Sequence, residues 1–324
     1  DNSGRYGGGL RITGAFNGNV IENAFLRCTS NDYGGGFNAD SITGNVTGNA
    51  FQNNSGGIGG GSDGGGGFYA ATITGNVSGN VFQNNSAVIS SSGGGFYVNT
   101  ITGNVSGNAF GGNTARRGGG FYVSSGLEGA VIGNVFANNT ATYSSGGGIY
   151  ISGNAQTLIR NNVFVDNTGE DGTNAVSTNS NSDFQNNLFW CESPASGQQV
   201  FVGFSAQGST FRNNIFTGVS AAEPAMHTAI RMAGQYNLAI ANNIFHAVRS
   251  DILNRDNVAM GDDIAFIELL LSNAKDNLAV DPLLGGRGVF AGAWTAAPAY
   301  DEIEGETVLT NTGAAWTPGA LRGM

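Results

Sequence analysis

Residues 93–113 read GGGFYVNTITGNVSGNAFGGN, and this stretch decides the fold. A glycine triplet, Gly93–Gly95, is closed by Phe96, and Asn108-Ala-Phe110 follows with its Phe 14 residues further on. Both markers recur along the chain. Asn-apolar-Phe stands at Asn23-Ala-Phe25, Asn49-Ala-Phe51, Asn80-Val-Phe82, Asn108-Ala-Phe110, Asn134-Val-Phe136, Asn162-Val-Phe164, Asn187-Leu-Phe189, Asn214-Ile-Phe216 and Asn243-Ile-Phe245. Successive Phe lie 25 to 31 residues apart, and a degraded tenth copy reads Asn277-Leu-Ala279. The glycine marker ends at Leu10, Phe37, Phe68, Phe96, Phe121 and Ile149, each 14 or 15 residues before the next marker Phe.

A fixed period of this size means a solenoid, propeller or array. The segments between markers, such as Ile73-Thr-Gly-Asn-Val77, are short, β-branched and broken by Gly, which argues against helices. Propeller blades need roughly 40 residues or more. One coil of a parallel β-helix, with three short strands and three bends, fits instead, and parallel crossovers default to the right-handed sense. The expectation is an all-β, right-handed parallel β-helix (solenoid) of about ten coils over residues 1–284. Residues 285–324, with Trp294, Tyr300 and Trp316, are expected to form an irregular C-terminal cap or a subunit-docking segment. At ~4.8 Å per coil the rod would be roughly 45–50 Å long.

Like residues stack on like in such a rod. The nine Phe are expected to form one internal column, each contributing on the order of 1.5–3 kcal/mol by burial. The nine Asn are expected to form a ladder of amides bonded from coil to coil. Length variation falls between each Phe and the next glycine triplet, so one side of the rod is regular and the other carries the variable loops.

Composition narrows the function classes. Of 324 residues 55 are Gly, against a usual ~7 per cent, yet 40% are hydrophobic, too many for a disordered linker. The net charge of −10 disfavours nucleic acid as a partner. No apolar run approaches the ~20 residues of a membrane helix, so no membrane insertion is expected.

The paired markers resemble the polymorphic outer-membrane protein repeats of bacterial autotransporter passengers, defined by Gly-Gly-apolar and Phe-x-x-Asn. Here the second motif stands as Phe51-Gln-Asn-Asn54, Phe82-Gln-Asn-Asn85, Phe110-Gly-Gly-Asn113, Phe136-Ala-Asn-Asn139 and Phe164-Val-Asp-Asn167. Asp276-Asn-Leu-Ala-Val-Asp-Pro282 is similar to the last coil of many pectate-lyase-like β-helix proteins. The resemblance spans roughly residues 7–284 and implies an exported bacterial or archaeal protein of the cell surface or extracellular space, often an adhesin. The motif is lost at Phe25, where Cys28 takes the Asn position, and after Phe189. No membrane-barrel segment follows, so a complete autotransporter is not expected.

Many proteins of this fold cleave acidic polysaccharides, so a lyase or hydrolase is the rival class. Arg160, Gln185 and Arg212 each sit four residues before a marker Phe and should stack on successive coils. The row would bind an acidic sugar, or it is a solvated polar row. Asp262, Asp263 and Glu268 form the densest carboxylate cluster, suited to surface calcium or to plain solvation. His227 and His246 lie in adjacent coils at different offsets, with no third ligand at metal spacing. Nothing resembles a nucleophile with its base, so no catalytic residue, resident metal or cofactor is expected. Ser41-Ile-Thr43, Thr72-Ile-Thr74 and Thr100-Ile-Thr102 would stack as paired hydroxyl rows over three coils, too few for an ice-binding lattice.

Cys28 and Cys191 are six coils apart, roughly 29 Å, beyond the span of a disulfide. They are read as two unpaired, partly buried thiols or as partners in a bridge between neighbouring molecules. Gly7-Gly-Gly-Leu10 already belongs to the first coil, leaving almost nothing for a cap. Either an upstream part covers that end or another subunit does, and head-to-tail stacking would then give a filament. The expected partners are further copies end to end and glycans of a cell surface.

Overall fold

The computed structural model describes residues 2–59, 64–88, 90–143, 145–153, 156–170, 172–191, 195–203, 208–218, 226–233, 238–246, 248–255, 258–259, 274–278, 299–301 and 306–308. The expected boundary at residues 284/285 and most of the segment beyond it lie outside them.

The chain winds as a parallel β-solenoid. One turn runs Phe68–Ile73, Val77–Ser78, Val81–Gln83 and Ser86–Ala87, and each strand hydrogen-bonds to its counterpart one turn away. Four sheets result, of 11, 10, 9 and 7 strands. Four strands per turn replace the expected three in the first part of the rod, because the two residues after each Phe-x-x-Asn corner also pair with their neighbours. The Phe-bearing sheet holds nine strands, Ala24–Leu26 to Ile244–Phe245. The degraded tenth copy is present as the pairing of Ala274–Lys275 and an isolated bridge from Ile244 to Leu278, so nine full turns stand where about ten were expected. Antiparallel pairing occurs only between Asn254–Arg255 and Val258–Ala259 and between Ala299–Asp301 and Glu306–Val308 among the described residues.

Side-chain alternation explains the core. In Asn-apolar-Phe the first and third residues point inward and the middle one outward, as a period of two requires. The nine Phe form one column with ring centroids 4.6 to 5.1 Å apart and nearly parallel planes. A second aromatic column, Phe37, Phe68, Phe96 and Phe121, rises from the residues that close the glycine triplets. Val46, Val77, Val105 and Val131 fill the third wall.

The Asn ladder runs unbroken from Asn23 to Asn277. Asn80 shows the accounting: its N–H and its Nδ2 both donate to Asn108 Oδ1 at 2.9 Å. The other Nδ2 hydrogen goes to Val46 O at 2.8 Å, and its own Oδ1 accepts both donors of Asn49. Every polar valence of the side chain is filled inside a site that water does not reach, which removes the penalty of burying an amide. The Phe-x-x-Asn residues build a second buried ladder, Asn54, Asn85, Asn113, Asn139 and Asn167, whose Nδ2 groups also reach the Phe carbonyls of the preceding turn. A third ladder lies on the surface and runs the opposite way, with Asn45, Asn76 and Asn104 N–H groups donating to Asn19, Asn45 and Asn76 Oδ1.

The glycine triplets have a steric cause. In Gly93–Gly95 the first residue holds φ at +73°, a region that suits Gly. A Cβ on Gly94 would sit 2.7 Å from Thr114 N and overlap the Gly119 carbonyl oxygen. The triplet is where two sheets meet with no room for side chains.

Candidate functional site

The structure brings Arg160, Gln185 and Arg212 into one row, as the spacing required. Arg160 pairs in register with Gln185, and Gln185 with Arg212. They project from the sheet that follows the long strands, where inward Ile159, Phe184 and Phe211 alternate with them. The row is not purely cationic. Gln185 Nε2 donates to Asp183 Oδ2 at 2.6 Å, and the Thr210 hydroxyl donates to Asp183 Oδ1. A carboxylate therefore sits beside the middle of the row, between two guanidinium groups that are two turns apart. Arg212 is exposed, whereas Arg160 is half-buried with its Nε lacking a partner among the described residues.

Chain comparison adds no relative. No protein-family model, curated protein or solved structure matches this sequence. The reading of the site therefore rests on its own geometry.

The two cysteines are free and buried outright, where partial burial was expected. Cys28 N–H donates to Asn54 Oδ1 at 2.9 Å, so its backbone joins the second ladder although its side chain cannot extend it. Cys191 lies in the core, with Gln199 Nε2 at 3.4 Å from its sulfur. Burial pushes its thiol up to about 12, with the nearby Asp166 charge adding to the effect, against a smaller opposing hydrogen bond from Gln199. A bridge to a neighbouring molecule would require these turns to open first.

The remaining sequence candidates do not converge. His246 Nδ1 lies 3.1 Å from Thr217 Oγ1, and the His227 side chain lies outside the described part. Asp262, Asp263 and Glu268 fall outside the described residues. Among the described residues no group of three His, Cys, Asp or Glu side chains is placed to hold a metal ion. The hydroxyl rows do stack, Ser41 beside Thr72 beside Thr100. In the second row, however, Thr74 and Thr102 spend their protons on the carbonyls of Thr43 and Thr74, at 2.9 and 3.0 Å.

One feature on the outer side of the long strands was missed by the sequence reading, and two of its tyrosines, Tyr97 and Tyr122, are buried there. Tyr69, Tyr97, Tyr122 and Tyr150 follow the residues that close four glycine triplets and point outward by alternation. Their rings stack at 5.0 to 5.3 Å, and Tyr6 and Tyr33 continue the column toward the first turn. The signal was present as Gly-Gly-apolar-Tyr. Because each ring covers its neighbour's face, the column stiffens the loop edge and offers few free ring faces to a ligand.

Proposed function

We propose that this protein is an extracellular structural or adhesive component of a bacterial or archaeal surface, a stiff rod whose ends associate with further copies. The observation that carries the reading is the unbroken register of the Asn and Phe columns through nine turns. A stack of this kind resists bending, because every turn is tied to the next by backbone, amide and ring contacts together. The resemblance of Phe51-Gln-Asn-Asn54 and its later copies to polymorphic outer-membrane protein repeats supports export and adhesion, and right-handed winding is the expected sense.

End-to-end association draws on the ladder itself, whose Asn amide donors and Oδ1 acceptors face opposite ways along the rod, so that one turn is complementary to the next. Electron microscopy of the natively isolated protein in physiological salt tests the reading. Fibres with an axial repeat near the rod length, roughly 43 Å for nine turns, would support end-to-end assembly. Isolated short rods would overturn it, and turnover of a polyuronate abolished by R160Q/R212Q would replace the scaffold reading with the enzymatic one.

A further inference from the structure

Two consecutive arginines on the loop edge each lie over a tyrosine ring. Arg116 and Arg117 make up the whole connection between Thr114–Ala115 and the glycine triplet that begins at Gly118. The flanking connections, 88–92 and 142–145, are longer. The Arg116 guanidinium carbon lies 4.3 Å from the ring centre of Tyr143, a side chain that is 64% exposed. The Arg117 guanidinium carbon lies 5.9 Å from the ring centre of Tyr150, at the end of the tyrosine column.

Neither arginine meets a carboxylate: among the described residues the one ion pair is Arg5 with Asp32. Arg117 Nε is buried with no hydrogen-bond partner among the described residues. Glu170 occupies the column of Arg116 two turns on, about 10 Å away by the turn spacing, and the two do not pair. A ring under a guanidinium stabilises its charge but leaves the N–H donors unsatisfied. The two guanidinium groups are carried by consecutive residues, and the terminal N–H groups of such a planar fork match an oxyanion that accepts two bonds at once, a carboxylate or a sulfate. The exposed Tyr143 ring beside them supplies apolar surface for the body of a ligand.

We infer that Arg116, Arg117, Tyr143 and Tyr150 form a binding site for an anionic polysaccharide. The site is open, so a single anionic unit would bind weakly. A polymer that repeats the anion across several rods gains avidity, and to that extent the proposal rests on the scaffold reading. The surrounding charge permits it: residues 1–165 hold six Arg and six acidic residues, and the whole net −10 lies beyond them. The site is separate from the Arg160–Gln185–Arg212 row, which carries its own carboxylate.

The test is biolayer interferometry of the full chain on immobilised polygalacturonate, heparin and neutral dextran, with single-stranded DNA as a second polyanion. Retention is expected on polygalacturonate or heparin, the stronger of the two naming carboxylate or sulfate, with none on dextran and a fall as salt rises. R116Q/R117Q is expected to weaken retention by about tenfold or more, roughly two lost charge-assisted contacts. Y143A, at an exposed position, is expected to weaken it severalfold. No retention on either polysaccharide, equal retention by R116Q/R117Q with an unchanged melting transition, or equal retention on DNA would each overturn the site. Microscopy of the same variants shows whether the rods and fibres persist, which separates failure of this site from failure of the scaffold.

Discussion

Asn104 and Asn108 stand four residues apart in one turn, each in a ladder of Asn side chains, and they should respond oppositely to truncation. Asn108 is fully buried, and its Oδ1 accepts from both Asn80 N–H and Asn80 Nδ2 at 2.9 Å. Its Nδ2 donates to Asn134 Oδ1 at 2.9 Å and to Val77 O at 2.8 Å. Asn108→Ala removes all four bonds and strands the two donors of Asn80 in a dry wall. Each orphaned donor costs about 1–3 kcal/mol, so a destabilisation of about 3–5 kcal/mol is expected. Asn104 is exposed, and its Oδ1 accepts one bond, from Ala130 N–H at 2.9 Å. Water replaces that acceptor, and Asn104→Ala is expected to cost under about 1 kcal/mol. Urea titration of the full chain by far-ultraviolet circular dichroism reads both, provided the slopes match the parent. If the two variants fall within about 1 kcal/mol of each other, amide satisfaction is not what holds the turns together.

Three further outcomes follow from the same geometry. Gly94→Ala places a methyl 2.7 Å from Thr114 N and should destabilise by about 3 kcal/mol or more, whereas Gly111→Ala, with nothing within 4 Å, should be neutral or stabilise by about 0.5 kcal/mol in the same titration. Cys28→Asn restores the missing rung beneath Asn54 and should stabilise by about 0.5–1.5 kcal/mol, and a loss of stability would show that the first turn is not held as a ladder turn. In a Cys28→Ser variant, the remaining Cys191 should resist a thiol reagent at neutral pH until the chain is denatured. With its pKa raised from 9.0 to about 12, the folded thiol keeps its proton where the unfolded one loses it. Its contribution to stability is therefore intact below pH 9 and falls as pH rises from there toward 12, by up to about 1.4 kcal/mol per unit. Ready labelling of the native protein at neutral pH would contradict the buried placement.

The turn architecture was legible in the sequence because its markers are spaced by the fold itself. Asn108 and Phe110 must face inward together, so the motif repeats wherever a turn repeats. The fourth sheet was not legible, since a strand of two residues such as Ser86–Ala87 is too short to show any alternation. The second buried ladder was visible as Phe-x-x-Asn, but the surface ladder through Asn76 and Asn104 was not, because its role depends on backbone N–H groups a full turn away. The Arg160 row was placed correctly, yet the carboxylate beside it became apparent only through the side-chain bond from Gln185 to Asp183. Contacts such as Arg117 over Tyr150 join residues that no periodicity relates, because they depend on how short one connection is beside its neighbours.

The buried ladders have a direction. Each turn offers N–H and Nδ2 donors toward the following turn and an Oδ1 acceptor toward the preceding one. Along the ladder from Asn23 to Asn277, one turn therefore presents the same pair of faces as the next. A duplication or deletion of one whole period leaves every surviving Asn with a partner of the same kind, and the rod changes length without a new interface having to be invented. What such an event alters is the set of outer residues the rod displays, so reach and surface chemistry can vary by different genetic routes: whole periods for the first, loop residues for the second.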